Sequence, residues 1–110
     1  MSRRGDFVTV VTPGDYGKKP RPALVVQNDL FEALPSVVVL PLTSMLRDDA
    51  DQIRIDVAPS DENGLREKSQ IAIDKITVVP AAKVGKTIGR AEDGLMLRVT
   101  RAMALFLGIA

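Results

Sequence analysis

PRPALVVQNDLFEALPSVVVLPLTS, residues 20–44, decides the fold of this chain. It contains two apolar runs, 23–26 and 37–42, which predict two strands joined by a turn-rich link. Arg21 stands at the start of the first run, and Thr43 follows the second. If the two strands lie in one sheet, a guanidinium and a hydroxyl can meet at one end of it, and that end is our candidate functional site.

Composition indicates a globular protein, with 45% hydrophobic and 26% charged residues. The 110 residues suffice for a buried core, so we expect one domain spanning 1–110. The chain has no cysteine and no histidine, which excludes thiolate chemistry and removes the commonest general base. It also contains no stretch typical of a signal peptide or a membrane span, so we predict a cytoplasmic protein with no membrane partner.

The net charge of +1 hides an uneven distribution along the chain. The segment 1–28 carries +3, the segment 29–64 carries −6 and the segment 65–110 carries +4. The basic flanks could bind phosphate, whereas the acidic centre could not do so comfortably. On charge alone, nucleic-acid binding and a plainly solvated surface remain equal alternatives.

Further strands are predicted on both sides of the opening stretch. Their segments are 7–11, 53–57, 69–74, 76–79 and 86–89. The continuous apolar run 37–40 favours a central strand, with pairing that loosens at Pro41 because proline donates no ladder hydrogen bond. In 53–57 the apolar residues alternate with Arg54 and Asp56, which predicts a half-exposed strand.

From Ala91 the apolar period changes to three and four, which predicts an amphipathic helix ending near Gly108. Its stripe consists of Leu95, Val99, Ala102, Met103 and Phe106. Apolar residues off the stripe (Met96, Leu97 and Leu105) favour a dimer interface. The chain is therefore predicted to be mainly β: a small barrel or strongly bent sheet of five to seven strands, with one C-terminal helix over an open side.

Four segments and the closing helix resemble, in order and over essentially the whole chain, the MazF/PemK family of toxin–antitoxin ribonucleases. The segments are RGDFVTV (4–10), RPALVVQND (21–29), LPSVVVLPLTS (34–44) and IAIDKI (71–76). The resemblance implies an SH3-like barrel and a homodimer that cuts single-stranded mRNA at specific sequences without a metal or cofactor. It also implies a cognate antitoxin as partner, with DNA contacted only indirectly through that antitoxin.

The resemblance also assigns site residues by motif position. By motif position the candidate catalytic residues are Arg21, Thr43 and Asp74, with Ser44 beside Thr43. Ser44 and two loop cations, Lys18 and Lys19, are the candidate substrate-binding residues, although the two lysines could also be solvated loop residues. A guanidinium binds two phosphate oxygens at once. Hydroxyls can hydrogen-bond phosphate or ribose, and Asp74 could act as the base if burial raises its pKa.

Each candidate also has a plain structural interpretation. Arg21 could be a surface ion-pair residue, Thr43 and Ser44 a turn or helix-cap pair, and Asp74 a partner of Lys75 or Arg66.

The chain departs from the family pattern at two places. Some members carry an arginine, a proposed general acid, two residues before the aspartate, where this chain has Ala72. Others carry Glu or His in the loop before the RP motif, where 12–20 offers only Asp15 and Tyr16. Two other functions therefore stay open: a non-enzymatic CcdB-like toxin that binds gyrase, and a catalytically decayed member that still binds its antitoxin.

Overall fold

The computed structural model describes residues 2–11 and 19–109, so Lys18, Asp15 and Tyr16 lie outside the described residues. In this part of the chain there are seven strands and one α-helix. They are β1 (Asp6–Val10), β2 (Arg21–Val25), β3 (Ser36–Thr43), β4 (Arg54–Val57), β5 (Ser69–Ala72), β6 (Thr77–Pro80), β7 (Val84–Arg90) and α1 (Asp93–Leu107).

The strands form one antiparallel sheet in the order β4-β5-β3-β2-β1-β7, and β6 pairs separately with β3. The mainly-β fold with a C-terminal helix is thus confirmed. Pairing between the described strands does not run round a closed ring. The sheet is therefore open, and α1 packs on one of its faces.

Strand β3 is the centre of the sheet, as its apolar run predicts. One edge pairs with β2, and the other pairs with β6 through 36–39 and with β5 through 42–43. On this second edge the ladder skips Leu40 and Pro41, while on the first edge Pro41 stays in register with Ala23. The predicted loosening at the proline is confirmed for one of the two edges.

Strands β5 and β6 run along the same edge of β3, separated by the 3-10 helix Ile73–Lys75. Thr43 pairs with Gln70, whereas Val39 pairs with Thr77, so the register shifts by three residues between the two strands. The predicted strand 69–74 therefore ends early, at Ala72. Insertion of this turn carries Asp74 out of the ladder, much as a bulge re-aims a side chain.

The core has one part on each face of the sheet, because side chains alternate along the strands. One part joins the sheet to α1 and includes Phe7, Leu24, Ile71 and Val99; the other is valine-rich and includes Val8, Val10, Ala23, Val25, Val39 and Val79. Together they place the apolar residues of β1 and β2 alternately on the two faces.

Helix α1 matches its predicted stripe except at the far end. Leu95 and Val99 are buried and Met103 is half-buried, but Phe106 is 44% exposed. Gly108, at φ +75°, ends the helix in the left-handed conformation that glycine adopts at no steric cost. Among the described residues no helix combines the length and apolarity needed to cross a membrane.

Candidate active site

Four polar side chains share one transverse row across the sheet. The β2–β3 ladder ends at the pair Ala23–Pro41, and its register, extended by two residues along both strands, sets Arg21 opposite Thr43. Thr43 in turn pairs with Gln70 on β5, and Gln70 pairs with Asp56 on β4. Because residues in cross-strand register lie on the same face, Arg21 and Thr43 come together as the ends of two neighbouring strands.

The substrate-binding candidates flank this row. Ser44 follows Thr43 directly and is exposed, and Lys19 is exposed just ahead of β2. Arg21 is exposed at the start of β2. Lys18 falls in the part of the chain that the structure does not describe.

Thr43 organises a turn with its side chain. Its Oγ1 accepts a hydrogen bond of 3.1 Å from the backbone N–H of Met45, as in an ST-turn. This bond uses one lone pair of the hydroxyl, which keeps its O–H donor and its second lone pair. The turn interpretation is therefore right for Thr43, and the same hydroxyl can still bind a ligand.

Gln70 is a buried member of the row that the sequence did not single out. Its side chain is 4% exposed and binds the backbone of Arg47 twice. Oε1 accepts from the Arg47 N–H at 2.9 Å, and Nε2 donates to the Arg47 carbonyl at 2.7 Å. Nε2 also donates to Asp56 Oδ1 at 2.8 Å. The amide thus ties the segment after Thr43 to the edge of the sheet.

Asp74 forms a two-point ion pair with Arg54. The Nε–Oδ1 distance is 2.8 Å and the Nη2–Oδ2 distance is 3.1 Å, the parallel geometry in which guanidinium binds carboxylate best. The Arg54 side chain is 8% exposed and that of Asp74 is 24% exposed. The prediction that Arg54 faces solvent is therefore wrong, and Asp74 pairs with this residue instead of Lys75 or Arg66.

The strand register explains how Arg54 reaches Asp74. Arg54 pairs with Ala72, the position where some family members carry an arginine. The guanidinium beside Asp74 is therefore supplied from the neighbouring strand. Ala72 is two residues beyond Gln70 on the same face, roughly 7 Å along the strand. The ion pair accordingly lies one row away from Arg21 and Thr43.

The pKa shifts of Asp74 and Arg54 decide whether either residue can act as a base or an acid. The hydrogen bonds from Arg54 lower the pKa of Asp74 below its ordinary value, and they outweigh burial, which acts the other way. The condition under which Asp74 would be a strong base, a raised pKa, is thus not met. Asp74 in turn raises the pKa of Arg54, so this guanidinium is a permanent cation that cannot donate a proton near neutral pH.

A second, exposed pair lies beside the first. Arg47 binds Asp49 through Nε–Oδ1 at 3.1 Å and Nη2–Oδ2 at 3.2 Å. This contact lowers the pKa of Asp49 and raises that of Arg47. Within the described ranges, no three acidic side chains gather into a group that could hold a metal ion.

The mainly antiparallel sheet with its C-terminal helix agrees with the family that the sequence segments resemble. Residues 3–107 match the family model described as PemK-like, MazF-like toxin of type II toxin–antitoxin system. The chain therefore belongs to the PemK/MazF toxin family.

Individual relatives agree with this assignment. The chain is 43% identical over 108 residues to the probable endoribonuclease MazF of Mycolicibacterium smegmatis, and the match covers 98% of each chain.

Two mycobacterial structures share the fold. The Mycobacterium tuberculosis toxin MazF-mt6 superposes with a TM-score of 0.80 at 19% identity, covering 96% of this chain and 98% of the other. An endoribonuclease from a mycobacterial species, solved with its cognate antitoxin, superposes with a TM-score of 0.80 at 23% identity, covering 100% and 98%.

Proposed function

We propose that this toxin is an endoribonuclease that cuts single-stranded mRNA at specific sequences and needs no metal ion. The observation that carries the proposal is the β2–β3 register, whose extension by two residues beyond Ala23–Pro41 sets Arg21 opposite Thr43 at one end of the sheet. The 43% identity to a probable endoribonuclease over nearly the whole chain supports the same activity.

The proposed reaction is attack of a ribose 2′-hydroxyl on the adjacent phosphorus. The P–O bond to the 5′-oxygen breaks, and the products carry a 2′,3′-cyclic phosphate and a 5′-hydroxyl. Arg21 holds two phosphate oxygens and neutralises the charge that builds on the phosphorane. The Thr43 O–H, which its turn contact leaves available, donates a second hydrogen bond to the phosphate.

Proton transfer is the slower part of this mechanism. The lowered pKa of Asp74 makes its carboxylate a weak base, and no histidine is present in the sequence. We assign both proton transfers to water, which takes the 2′-hydroxyl proton and supplies a proton to the 5′-oxygen, so that acceleration depends mainly on orientation of the RNA. Asp74 takes part by holding Arg54 in the buried ion pair beside the row.

RNA backbone binding falls to the residues around the row. Lys18, Lys19 and Ser44 bind phosphates on either side of the cut. Such binding should weaken steeply as salt rises, since each neutralised phosphate releases counterions.

The partners are a cognate antitoxin and a second copy of the chain. Helix α1 leaves four large apolar side chains, each between 44% and 54% exposed: Leu97, Leu105, Phe106 and Leu107. An exposed patch of this kind favours a homodimer interface. Any contact with DNA is indirect, through the antitoxin. The chain 1–110 acts as a single domain in the cytoplasm, where its mRNA substrate is found.

The test is RNA cleavage in EDTA by purified protein freed of antitoxin. Wild type should yield 5′-hydroxyl ends, and Arg21→Ala should cut at least about 100-fold more slowly, the usual cost of removing one phosphorane-stabilising donor. Arg101→Ala is the matched control, since Arg101 is an exposed arginine on α1 and not on β2 or β3. It should cut like wild type.

Three results would reject the proposal. Intact RNA after incubation with wild type, together with gyrase capture, would favour the gyrase-binding alternative. Intact RNA with tight antitoxin binding and no growth arrest would identify a decayed member. Equal rates for the two arginine variants would remove Arg21 from the site.

A further inference from the structure

We propose that Gln70 is a positioning residue that holds the segment 44–47 against the sheet and thereby sets which RNA sequences are cut. The inference rests on the proposed endoribonuclease function. It concerns a side chain that lies next to Thr43 in the row and is almost completely buried.

Both ends of the segment are anchored within the site. Thr43 Oγ1 holds the N–H of Met45, and the Gln70 amide holds the N–H and the carbonyl of Arg47. The two anchors start from residues paired across β3 and β5. The path of the chain from Thr43 to Arg47 is thus determined by two neighbouring side chains.

The anchored segment presents an unusual surface beside a charged site. Met45 is 82% exposed and Leu46 is 46% exposed, immediately after Thr43 and Ser44. Single exposed apolar residues need no explanation, but two in succession on a turn fixed at both ends form a built surface. Unstacked bases of single-stranded RNA pack against apolar side chains in this way.

Asp56 selects the orientation of the Gln70 amide. A carboxylate only accepts hydrogen bonds, so the amide nitrogen must point at Asp56 Oδ1 and the amide oxygen must point at the Arg47 N–H. With the amide reversed, two acceptors would face each other and two donors would clash. Asp56, on the edge strand β4, therefore fixes the Gln70 amide in the orientation that binds both backbone groups of Arg47. We call these contacts between the Gln70 amide and the Arg47 backbone the clamp.

The clamp itself is tested without RNA, by the rate of trypsin cleavage after Arg47. Gln70→Ala should speed this cleavage by about 10-fold or more, because the backbone around Arg47 loses both contacts and opens locally. The control is Asn63→Ala. Asn63 is a similarly buried amide, 7% exposed, that holds another loop through Ser60, Leu65 and Ala58. It should not change cleavage after Arg47.

A second pair of variants exchanges the amide and the carboxylate between positions 70 and 56, and so distinguishes loss of the clamp from general misfolding. Gln70→Glu removes the donor and sets a second carboxylate against Asp56, so cleavage after Arg47 should accelerate. Adding Asp56→Asn restores a donor–acceptor pair between the two positions and should slow it again. Equal rates in wild type, Gln70→Ala and Gln70→Glu would overturn the clamp.

The specificity role is tested by sequencing the cut ends from a randomised single-stranded RNA pool. Gln70→Ala should broaden the base preference and cut the favoured sequence about 10-fold less efficiently, since small misplacement of a binding segment is costly. Asn63→Ala should keep the preference. An unchanged preference in Gln70→Ala, with faster trypsin cleavage, would overturn the role in specificity and leave only the clamp. A wild type that cuts no RNA would reject the proposed function and the specificity role together, while the trypsin result still decides the clamp.

Discussion

Arg54 and Asp74 face each other across the β4–β5 edge of the sheet and are joined by two hydrogen bonds, of 2.8 Å and 3.1 Å. Arg54 on β4 is in register with Ala72 and reaches Asp74 in the 3-10 helix that follows β5. A guanidinium therefore lies beside Asp74 although position 72 carries alanine.

The pair should matter for stability. Arg54→Met keeps the apolar stem and removes the guanidinium, which leaves the Asp74 carboxylate, 24% exposed, without its cation. We expect the free energy of unfolding to fall by about 2–3 kcal/mol, as measured by urea denaturation at pH 7. Arg47→Met, at the exposed pair with Asp49, should cause little change. Similar losses in both variants would show that burial does not distinguish the two pairs.

Low pH should reduce the contribution of the Asp74 carboxylate to folding stability. Because Arg54 lowers the folded-state pKa of Asp74, its stabilisation is fully present above the unfolded pKa of about 3.9 and is lost as pH falls through the lower folded value. The difference in unfolding free energy between wild type and Asp74→Asn should therefore be constant from pH 7 to 5 and shrink below about pH 4. Asp49, whose pKa is also lowered, is present in both proteins and cancels.

Urea denaturation of both proteins between pH 3 and 7 checks this prediction. A raised folded-state pKa would reverse the sign, and wild type would then gain stability relative to the variant on acidification from pH 7 to 5. That outcome would return Asp74 to the role of general base.

Two substitutions test the hydroxyl of Thr43 separately from the volume of its side chain. Thr43→Ser keeps the O–H and the turn contact to Met45, whereas Thr43→Val keeps the volume and loses both. We expect the serine variant to cut RNA within a few-fold of wild type and the valine variant to be about 100-fold slower in single-turnover assays. Valine should also cost about 1 kcal/mol of stability through the lost turn bond. Equal cutting rates for the two variants would confine Thr43 to its turn.

Substitution by alanine should change the free energy of unfolding in opposite directions at two glycines. A Cβ at Gly89 would lie 2.2 Å from the Asn63 carbonyl carbon, so Gly89→Ala should lower the free energy of unfolding by about 3 kcal/mol or more through backbone displacement. At Gly94, in the first turns of α1, a Cβ meets nothing within 4 Å. Gly94→Ala should raise the free energy of unfolding by about 0.5–1 kcal/mol. Urea or thermal unfolding measures both, and a stabilised Gly89→Ala would contradict this packing.

The strands and the helix could be read from the sequence because their signals are local. Apolar runs and alternation predict β2 to β5, and a period of three to four residues predicts α1. The positions of Arg21 and Thr43 at strand ends are equally local, since a proline-rich approach precedes one and the end of an apolar run precedes the other. Strand boundaries moved by one or two residues, most clearly at β5, where a 3-10 turn replaces the last two predicted strand positions.

The sequence by itself thus determined the element order, the family and two of the residues in the row. Tertiary structure alone decided which polar residues are buried and with whom. Gln70 meets Arg47 across 23 positions and Arg54 meets Asp74 across 20, so no local pattern reports either contact. It also decided the direction of the Asp74 pKa shift. That direction depends on whether burial or a nearby cation dominates, and only the pairing of β4 with β5 brings the cation within hydrogen-bonding distance.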